Sequence, residues 1–425
     1  MFPPASDQLK PAATTLKKLC AIRLPYLILL IVLAIGAGFY GVENWRGPYV
    51  FRQRCAELEA RGEKLKVEQF QTAAVPPEEN FMMSPAWGEA LKSRDPWDME
   101  FPQMIPREGE QNSDTMKLEE WAPWENQISA LAEAAAASPH SVFPTLPGAE
   151  HNLTCAYVMC HSLLFRARAA QREGNATAGA KSLHILFRVY DAFATRPESY
   201  NQRCAAEIAR ITVFGPFQTT LWSKQESEMI ASGLKRMDRI PDFALAMRYD
   251  RALTLQSIVS KEGRQFGPPS SSWMPRGWSG LACSWWLDVS QFRIEAAAAW
   301  PGELHKSDPR LDSKSLWQGF AKLEHWSDVD LNFSRIDSLE VKMHVVLCQM
   351  EHAFGWYRRE HGRNIKKPED LLPYLAGGWP TDPYTQKPYL IDRDGDRWCI
   401  RWNRYGQPPG PEDIWGFPSR SVNPY

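Results

Sequence analysis

The chain lacks a charge bias: 49 lysines and arginines face 50 aspartates and glutamates, a formal net charge of −1. So even a balance provides no field to draw in nucleic acid or an acidic polymer, and no nucleic-acid partner is expected. Clustered cysteines are missing as well. The eight present, Cys20, Cys55, Cys155, Cys160, Cys204, Cys283, Cys348 and Cys399, include no CxxC pair. Spread so widely, they read as small buried apolar residues and not as a disulfide framework. No Walker A loop, HExxH or GxSxG occurs, and Gly277-Trp-Ser-Gly280 has the wrong spacing for a nucleophile elbow. Nucleotide, zinc-hydrolase and serine-hydrolase chemistries therefore have no signature. No catalytic residue is assigned, and no small-molecule cofactor is expected.

Long apolar runs are absent too, with one exception. From Leu24 to Val42 nineteen residues pass without a charge. At about 1.5 Å per residue such a helix covers roughly 28 Å, close to the hydrocarbon thickness of a bilayer. One transmembrane helix is predicted over 24–42. A cleaved signal peptide is the competing reading, and Gly36 and Gly38 would supply its small-x-small site. Its apolar region would be shorter, about 7–15 residues, so the length and late position of the run favour a retained signal-anchor. Lys10, Lys17, Lys18 and Arg23 precede the run against Asp7, while Arg46, Arg52 and Arg54 follow it. The asymmetry is slight, but a short basic tail ahead of a first span usually stays in the cytoplasm, so the N-terminus is expected inside and the rest of the chain outside.

Beyond the run the composition is that of a globular domain with two biases, 33 prolines and 18 tryptophans. After a tail over 1–23 and the span over 24–42, residues 43–73 read as a juxtamembrane helix with Phe51, Cys55 and Leu58 on one face. Over 74–124 prolines recur among Trp87, Trp97, Trp121 and Trp124. They rule out long regular elements, so an extended segment draped over the domain is expected. Residues 125–262 are predicted helical: Leu153, Tyr157, Cys160, Leu164 and Ala167 form one stripe, and Ala180, Leu183, Phe187, Tyr190 and Ala194 another. Gly174-Asn175 breaks the chain between them, Ser223-Lys-Gln-Glu226 is a capping box, and Pro241 opens a further helix carrying Phe243, Met247 and Leu255. A Trp-rich segment occupies 263–332. The tail, 333–425, combines a long helix from Ser338 to His361, a short helix at Pro368-Glu369-Asp370, and two strands flanking Asp394-Gly395, a hairpin signal. The fold expected is mainly α: a transmembrane helix, a helical-bundle or short solenoid-like ectodomain, and a small α+β C-terminal region with a β-hairpin.

Three groups of residues are candidates for chemistry. His344, Cys348 and His352 stand four apart on one helix and are soft or borderline metal ligands. A row of eight residues is about 12 Å long, too long for all three to reach one ion, so a boundary role beside the apolar face is the better reading. Asp392, Asp394 and Asp396 resemble the opening of a calcium loop, yet Gly395 arrives at its fourth position, where an EF-hand places glycine at the sixth. A turn between strands explains them more simply. Trp273, Trp278, Trp285 and Trp286 could stack on sugar rings, against the commoner use of indoles as packing.

Glu351-His-Ala-Phe-Gly-Trp-Tyr-Arg-Arg-Glu-His-Gly362, Pro368-Glu-Asp-Leu-Leu372 and Thr381-Asp-Pro-Tyr-Thr-Gln-Lys-Pro-Tyr389 together form a phrase similar to the tail of type II secretion pseudopilins. The resemblance implies an α+β tail, and calcium binding in some members lends weight to Asp392, Asp394 and Asp396. Two departures stand against a pilin role. Gly38-Phe-Tyr-Gly-Val-Glu43 imitates a prepilin cleavage phrase at the wrong end of the apolar run, and Gln386 replaces the loop glycine. More widely, Val42-Glu-Asn-Trp-Arg-Gly47, Pro76-Pro-Glu-Glu-Asn-Phe81, Pro275-Arg-Gly-Trp278 and the tail resemble an uncharacterised group of bacterial single-pass membrane-anchored proteins with alanine-rich helical ectodomains. That resemblance implies no activity. The expected function is a non-catalytic protein-interaction or scaffold module of the cell envelope with a protein partner. The alternative is a Trp-lined carbohydrate-binding protein or glycan-acting enzyme.

Overall fold

A computed structural model of the chain describes residues 10–70, 75–91, 117–143, 149–212, 222–238, 243–259, 277–298, 331–382, 387–394, 397–401 and 414–417. Within them the protein is mainly helical. Its helices are α1 (Lys10–Ala60), α2 (Pro85–Ala90), α3 (Glu125–Ala137), α4 (Ala149–Arg172), α5 (Ala176–Ala194), α6 (Ser199–Thr212), α7 (Lys224–Met237), α8 (Phe243–Val259), α9 (Gly277–Ala298) and α10 (Leu331–His361). Strands β1 (Leu390–Asp394), β2 (Arg397–Arg401) and β3 (Ile414–Phe417) pair antiparallel in the order β1-β2-β3. Gly395 of the predicted Asp394-Gly395 turn lies outside the described residues, as do Asp396, Trp97 and Pro241.

The chain divides into two compact units. One takes in Met1–Gln69, Arg251–Arg293 and Ser307–Asp328; the other takes in Phe70–Asp250, Ile294–Lys306 and Val329–Tyr425. The boundary therefore runs through α8, inside the segment 125–262 that the sequence presents as continuous.

In the first unit the predicted span and the juxtamembrane segment are one helix. α1 continues through Gly47-Pro48 without a break, and Arg52 Nε donates to the Pro48 carbonyl at 3.2 Å. It stops at Gly62, whose φ of 84° is costly for any residue with a Cβ. The Gly62 N–H donates to Glu59 O at 2.9 Å and the Glu63 N–H to Leu58 O at 3.0 Å, a Schellman closure of the last carbonyls.

The second unit is organised around α5. Twelve of its nineteen residues are buried, which makes it a helix covered on nearly every side instead of along one stripe. α3, α4, α6 and α7 all pack against it, and α10 lies on α6 and α7. Both predicted stripes face this core, with Tyr157 and Ala194 half-buried at its margin. The break at Gly174 is a second Schellman closure, with Gly174 donating to Gln171 O and Asn175 to Ala170 O. Asn175 then caps α5 by accepting from the Ala178 N–H at 3.1 Å. The Ser223–Glu226 box forms reciprocally: Ser223 Oγ accepts from the Glu226 N–H at 3.2 Å and Glu226 Oε2 from the Ser223 N–H at 2.7 Å.

Proline keeps 75–91 and 117–124 in 3-10 turns plus the six-residue α2, yet their aromatics are core residues. Phe81, Trp87 and Trp121 are buried in the same cluster as α5. Asn80 fixes this segment: its Nδ2 donates to Val142 O at 2.8 Å, and its Oδ1 accepts from the Val142 N–H at 3.0 Å. Two arginines tie helices to one another through backbone carbonyls. Arg166 of α4, fully buried, donates to Ala178 O at 2.6 Å and Ser182 Oγ at 2.7 Å and pairs with Glu125. Arg188 of α5 donates to Ala135 O at 3.0 Å and to Ser138 O, closing the C-terminus of α3.

Two predictions follow from α5. A Cβ on Gly233 of α7 would come within 2.2 Å of the Phe187 ring, which is itself buried. Gly233→Ala should therefore destabilise the protein by about 1–3 kcal/mol, read as a lower urea midpoint. His184, half-buried on α5, is held at about 4 against an ordinary 6.5 by burial and by the nearby Arg188 and Arg236. Between those values the unfolded chain binds a proton that the folded chain refuses, so stability falls as pH drops from about 6.5 to about 4. His184→Gln should flatten that part of the urea-midpoint profile; an unchanged slope would refute the assignment.

Candidate functional site

Two features of the first unit meet on α1. Toward its N-terminal side Tyr26, Leu30, Ile35 and Phe39 are exposed at 65, 63, 66 and 55 %. An apolar surface of this kind is unfavourable in water at about 25 cal/mol per Å². The helix is long and apolar enough to cross a membrane. It is not the buried core helix that would pass the same test of length and composition.

At the other end of α1 the helix is tied down. Leu58 and Leu65 pack with Leu255 of α8 and with Cys283, Trp286 and Leu287 of α9. Across this core lies Arg251, 1 % exposed. Its Nη2 donates to Glu63 Oε2 at 2.7 Å and its Nη1 to Gln291 Oε1 at 2.6 Å, while Gln291 Nε2 donates to Glu63 Oε1 at 3.2 Å. The three side chains close a ring of charge-assisted hydrogen bonds. The Schellman turn at Gly62 is what aims Glu63 into it. Arg54 adds a second tie to α9, with Nε 2.5 Å from Asp288 Oδ1.

The candidate metal row on α10 is dispersed into packing. Cys348 belongs to the main core, where burial pushes its thiol well up, and His344 is half-buried. His352 is buried, and its Nε2–H donates to the Ser227 carbonyl of α7 at 3.0 Å. Among the described residues no group of three or more His, Cys, Asp or Glu is placed to hold a metal ion. Asp392 and Asp394 lie on β1 in register with Cys399 and Arg397; Asp396 lies outside the described residues. Of the stacking candidates, Trp273 is outside the described residues and Trp278 is placed on α9 by its backbone alone. Trp286 is buried in the first unit's core and Trp285 is half-buried against it.

A polar cluster that the sequence did not suggest closes the end of α10. Trp356 Nε1 donates to Glu360 Oε1 and the Tyr374 hydroxyl to Glu360 Oε2, each at 2.9 Å. His361 Nε2 lies 3.0 Å from the same hydroxyl, and the Tyr357 ring lies against His361 with centroids 4.3 Å apart and planes tilted by 38°. Burial and the Glu360 carboxylate raise Tyr374 to about 12, while the hydrogen bonds from Tyr374 and Trp356 hold Glu360 low. A phenol that high and a carboxylate that low are poor proton exchangers at neutral pH. The cluster instead docks the 3-10 turn Pro368–Tyr374 onto α10. Asp370 caps that turn by accepting from the Lys366 and Lys367 N–H groups.

Arg251 was legible in principle. Phe243, Met247 and Leu255 fall at multiples of four, and Arg251 occupies the empty place in that stripe. A charge in register with an apolar face signals a buried pair, although its partner Glu63 is 188 residues away.

No family model matches the chain, and neither a curated protein nor a solved structure matches it.

Arg251→Met should cost about 3–5 kcal/mol, because it strands the Glu63 carboxylate beside an apolar core. Adding Glu63→Gln should recover part of that loss. Urea denaturation of the full-length chain in detergent, with Trp emission as the signal, measures both; equal midpoints for Arg251→Met and wild type would refute the clamp.

Proposed function

We propose that the protein is a single-pass, membrane-anchored, non-catalytic interaction module of a bacterial cell envelope. In this reading the residues from Leu24 to Val42 stay in the bilayer, the N-terminus is cytoplasmic, and the helical bulk stands outside as a docking surface for a protein partner. One observation carries it: the apolar side chains between Tyr26 and Phe39 are bare on a helix whose far end is fixed by the Glu63–Arg251–Gln291 ring. A leader destined for removal has no need of a continuous helix leading into a buried ion pair. Support for the orientation comes from the four cations ahead of the run. The wider resemblance to anchored bacterial proteins points the same way. The buried polar side chains described above are engaged in helix ties and turn caps, which supports a scaffold over an enzyme.

Expressed in a bacterium, the full chain should remain with the membrane pellet through an alkaline carbonate wash and keep its N-terminal residues by mass spectrometry. A C-terminal tag should be digested by protease added to spheroplasts. Release by carbonate, with a mature N-terminus beyond Val42, would overturn the anchor; a protected tag would reverse the orientation. Crosslinking in the native host should then recover a stoichiometric protein partner.

A further inference from the structure

Among the tryptophans whose side chains are described, Trp87, Trp121, Trp222 and Trp286 are buried and Trp124, Trp285, Trp356 and Trp379 are partly buried. Trp45 alone is exposed, at 64 %. Its ring stacks on Tyr49 with centroids 5.2 Å apart and planes 16° from parallel, and Tyr49 is itself half exposed. Arg52 continues the same face, since 45, 49 and 52 are spaced i, i+4, i+7, and it too is exposed. The helix is not bare all round at this level. Glu43 and Gly47, nearly opposite Trp45 at about 100° per residue, are buried. One side is covered, and the other offers two stacked aromatic rings with a guanidinium beyond them.

The position of that face along α1 names its partner. Tyr26, 65 % exposed, opens the apolar stretch. From Tyr26 to Trp45 the helix rises roughly 28 Å, close to the thickness of a hydrocarbon core. Between them the exposed surface is aliphatic apart from Phe39 and Tyr40. Amphipathic rings favour the layer where chains give way to headgroups, because the ring body leaves water while its N–H or O–H keeps polar partners. Arg52 lies about 10 Å further along the axis, within snorkelling reach of lipid phosphate.

We infer that Trp45, Tyr49 and Arg52 form a lipid-headgroup site on the outer face of the membrane, with the two rings in the interfacial layer and the guanidinium on phosphate. This rests on the anchor proposed above and adds what fixes its depth. It sets Arg54, nine residues beyond Trp45 and paired with Asp288, within about 14 Å of the interface, so the first unit is held against the bilayer surface.

The test uses full-length protein and its Trp45→Phe variant in vesicles of phosphatidylethanolamine and phosphatidylglycerol. The difference between the two emission spectra isolates Trp45. We expect that difference to be quenched more by phospholipid brominated near the glycerol than by phospholipid brominated near the chain end, and to resist aqueous acrylamide. Stronger quenching by the deep bromine would place Trp45 in the hydrocarbon and overturn the site. Quenching by acrylamide alone would place it in water, and quenching by none of the three would place it under protein; either overturns the site while carbonate-resistant protein leaves the anchor standing. Release of the wild type by carbonate would overturn both.

Discussion

A guanidinium removed from water is stable only where its donors are matched, and Arg251 is 1 % exposed. Its two partners come from the turn after α1 and from α9, so the ring it closes dictates where three distant pieces of chain must meet. Apolar residues in place of both Arg251 and Glu63 could pack as well and avoid the desolvation cost of buried charge, which is several kcal/mol per ion. What an apolar residue could not do is choose among nearby registers. Leu58, Leu65, Leu255 and Leu287 would tolerate a slide of one helix along another. A bidentate ring with Glu63 and Gln291 would not. Arg251 therefore acts through specificity: it gives α1 a single seat.

That seat explains why Gly62 matters beyond its turn. With φ at 84° it lets the Leu58 and Glu59 carbonyls be capped by the chain itself, and the reversal delivers Glu63 to the arginine. Sequence, local geometry and buried electrostatics are linked in one short run. α1 is assigned as one helix from Lys10 to Ala60, so the turn that seats its C-terminal end and the apolar stretch belong to the same element. Pro25 and Pro48 lie inside α1 and the helix continues through both; each removes one ladder hydrogen bond, so these are the places where α1 can bend.

The apolar stretch of α1 was legible because nineteen uncharged residues leave no other pattern to read. The Ser223–Glu226 box and the Gly174-Asn175 break were legible for a different reason: each is a local device whose partners lie within a few residues. Tertiary pairings were not. Arg251 and Glu63 are 188 residues apart, Arg166 reaches Glu125 across 41, and His352 finds a carbonyl 125 residues back. The spacing of His344, Cys348 and His352 announced a shared helix face and nothing about what covers it. The tyrosine-to-glycine phrase from Tyr357 to Gly362 shows the same limit. Its Tyr and His are in contact at i, i+4 and its glycine, at φ 65°, ends α10, but Tyr374, which completes the cluster, comes from the next turn.

Arg166, buried, and Arg188, half-buried, share a habit that bears on the proposed role. Arg166 donates to the carbonyl of Ala178 in the first turn of α5, and Arg188 to those of Ala135 and Ser138 at the end of α3. The carbonyls at Ala135 and Ser138 belong to the end of a ladder, where the helix's own donors run out. Tying helices there removes the fraying that otherwise makes helix termini the softest parts of a bundle. Rigid helix ends leave little conformational entropy to lose when a second protein settles across them, and affinity gained by preorganisation needs no catalytic group. A bundle fastened in this way is suited to presenting one fixed surface, which fits the interaction role proposed above.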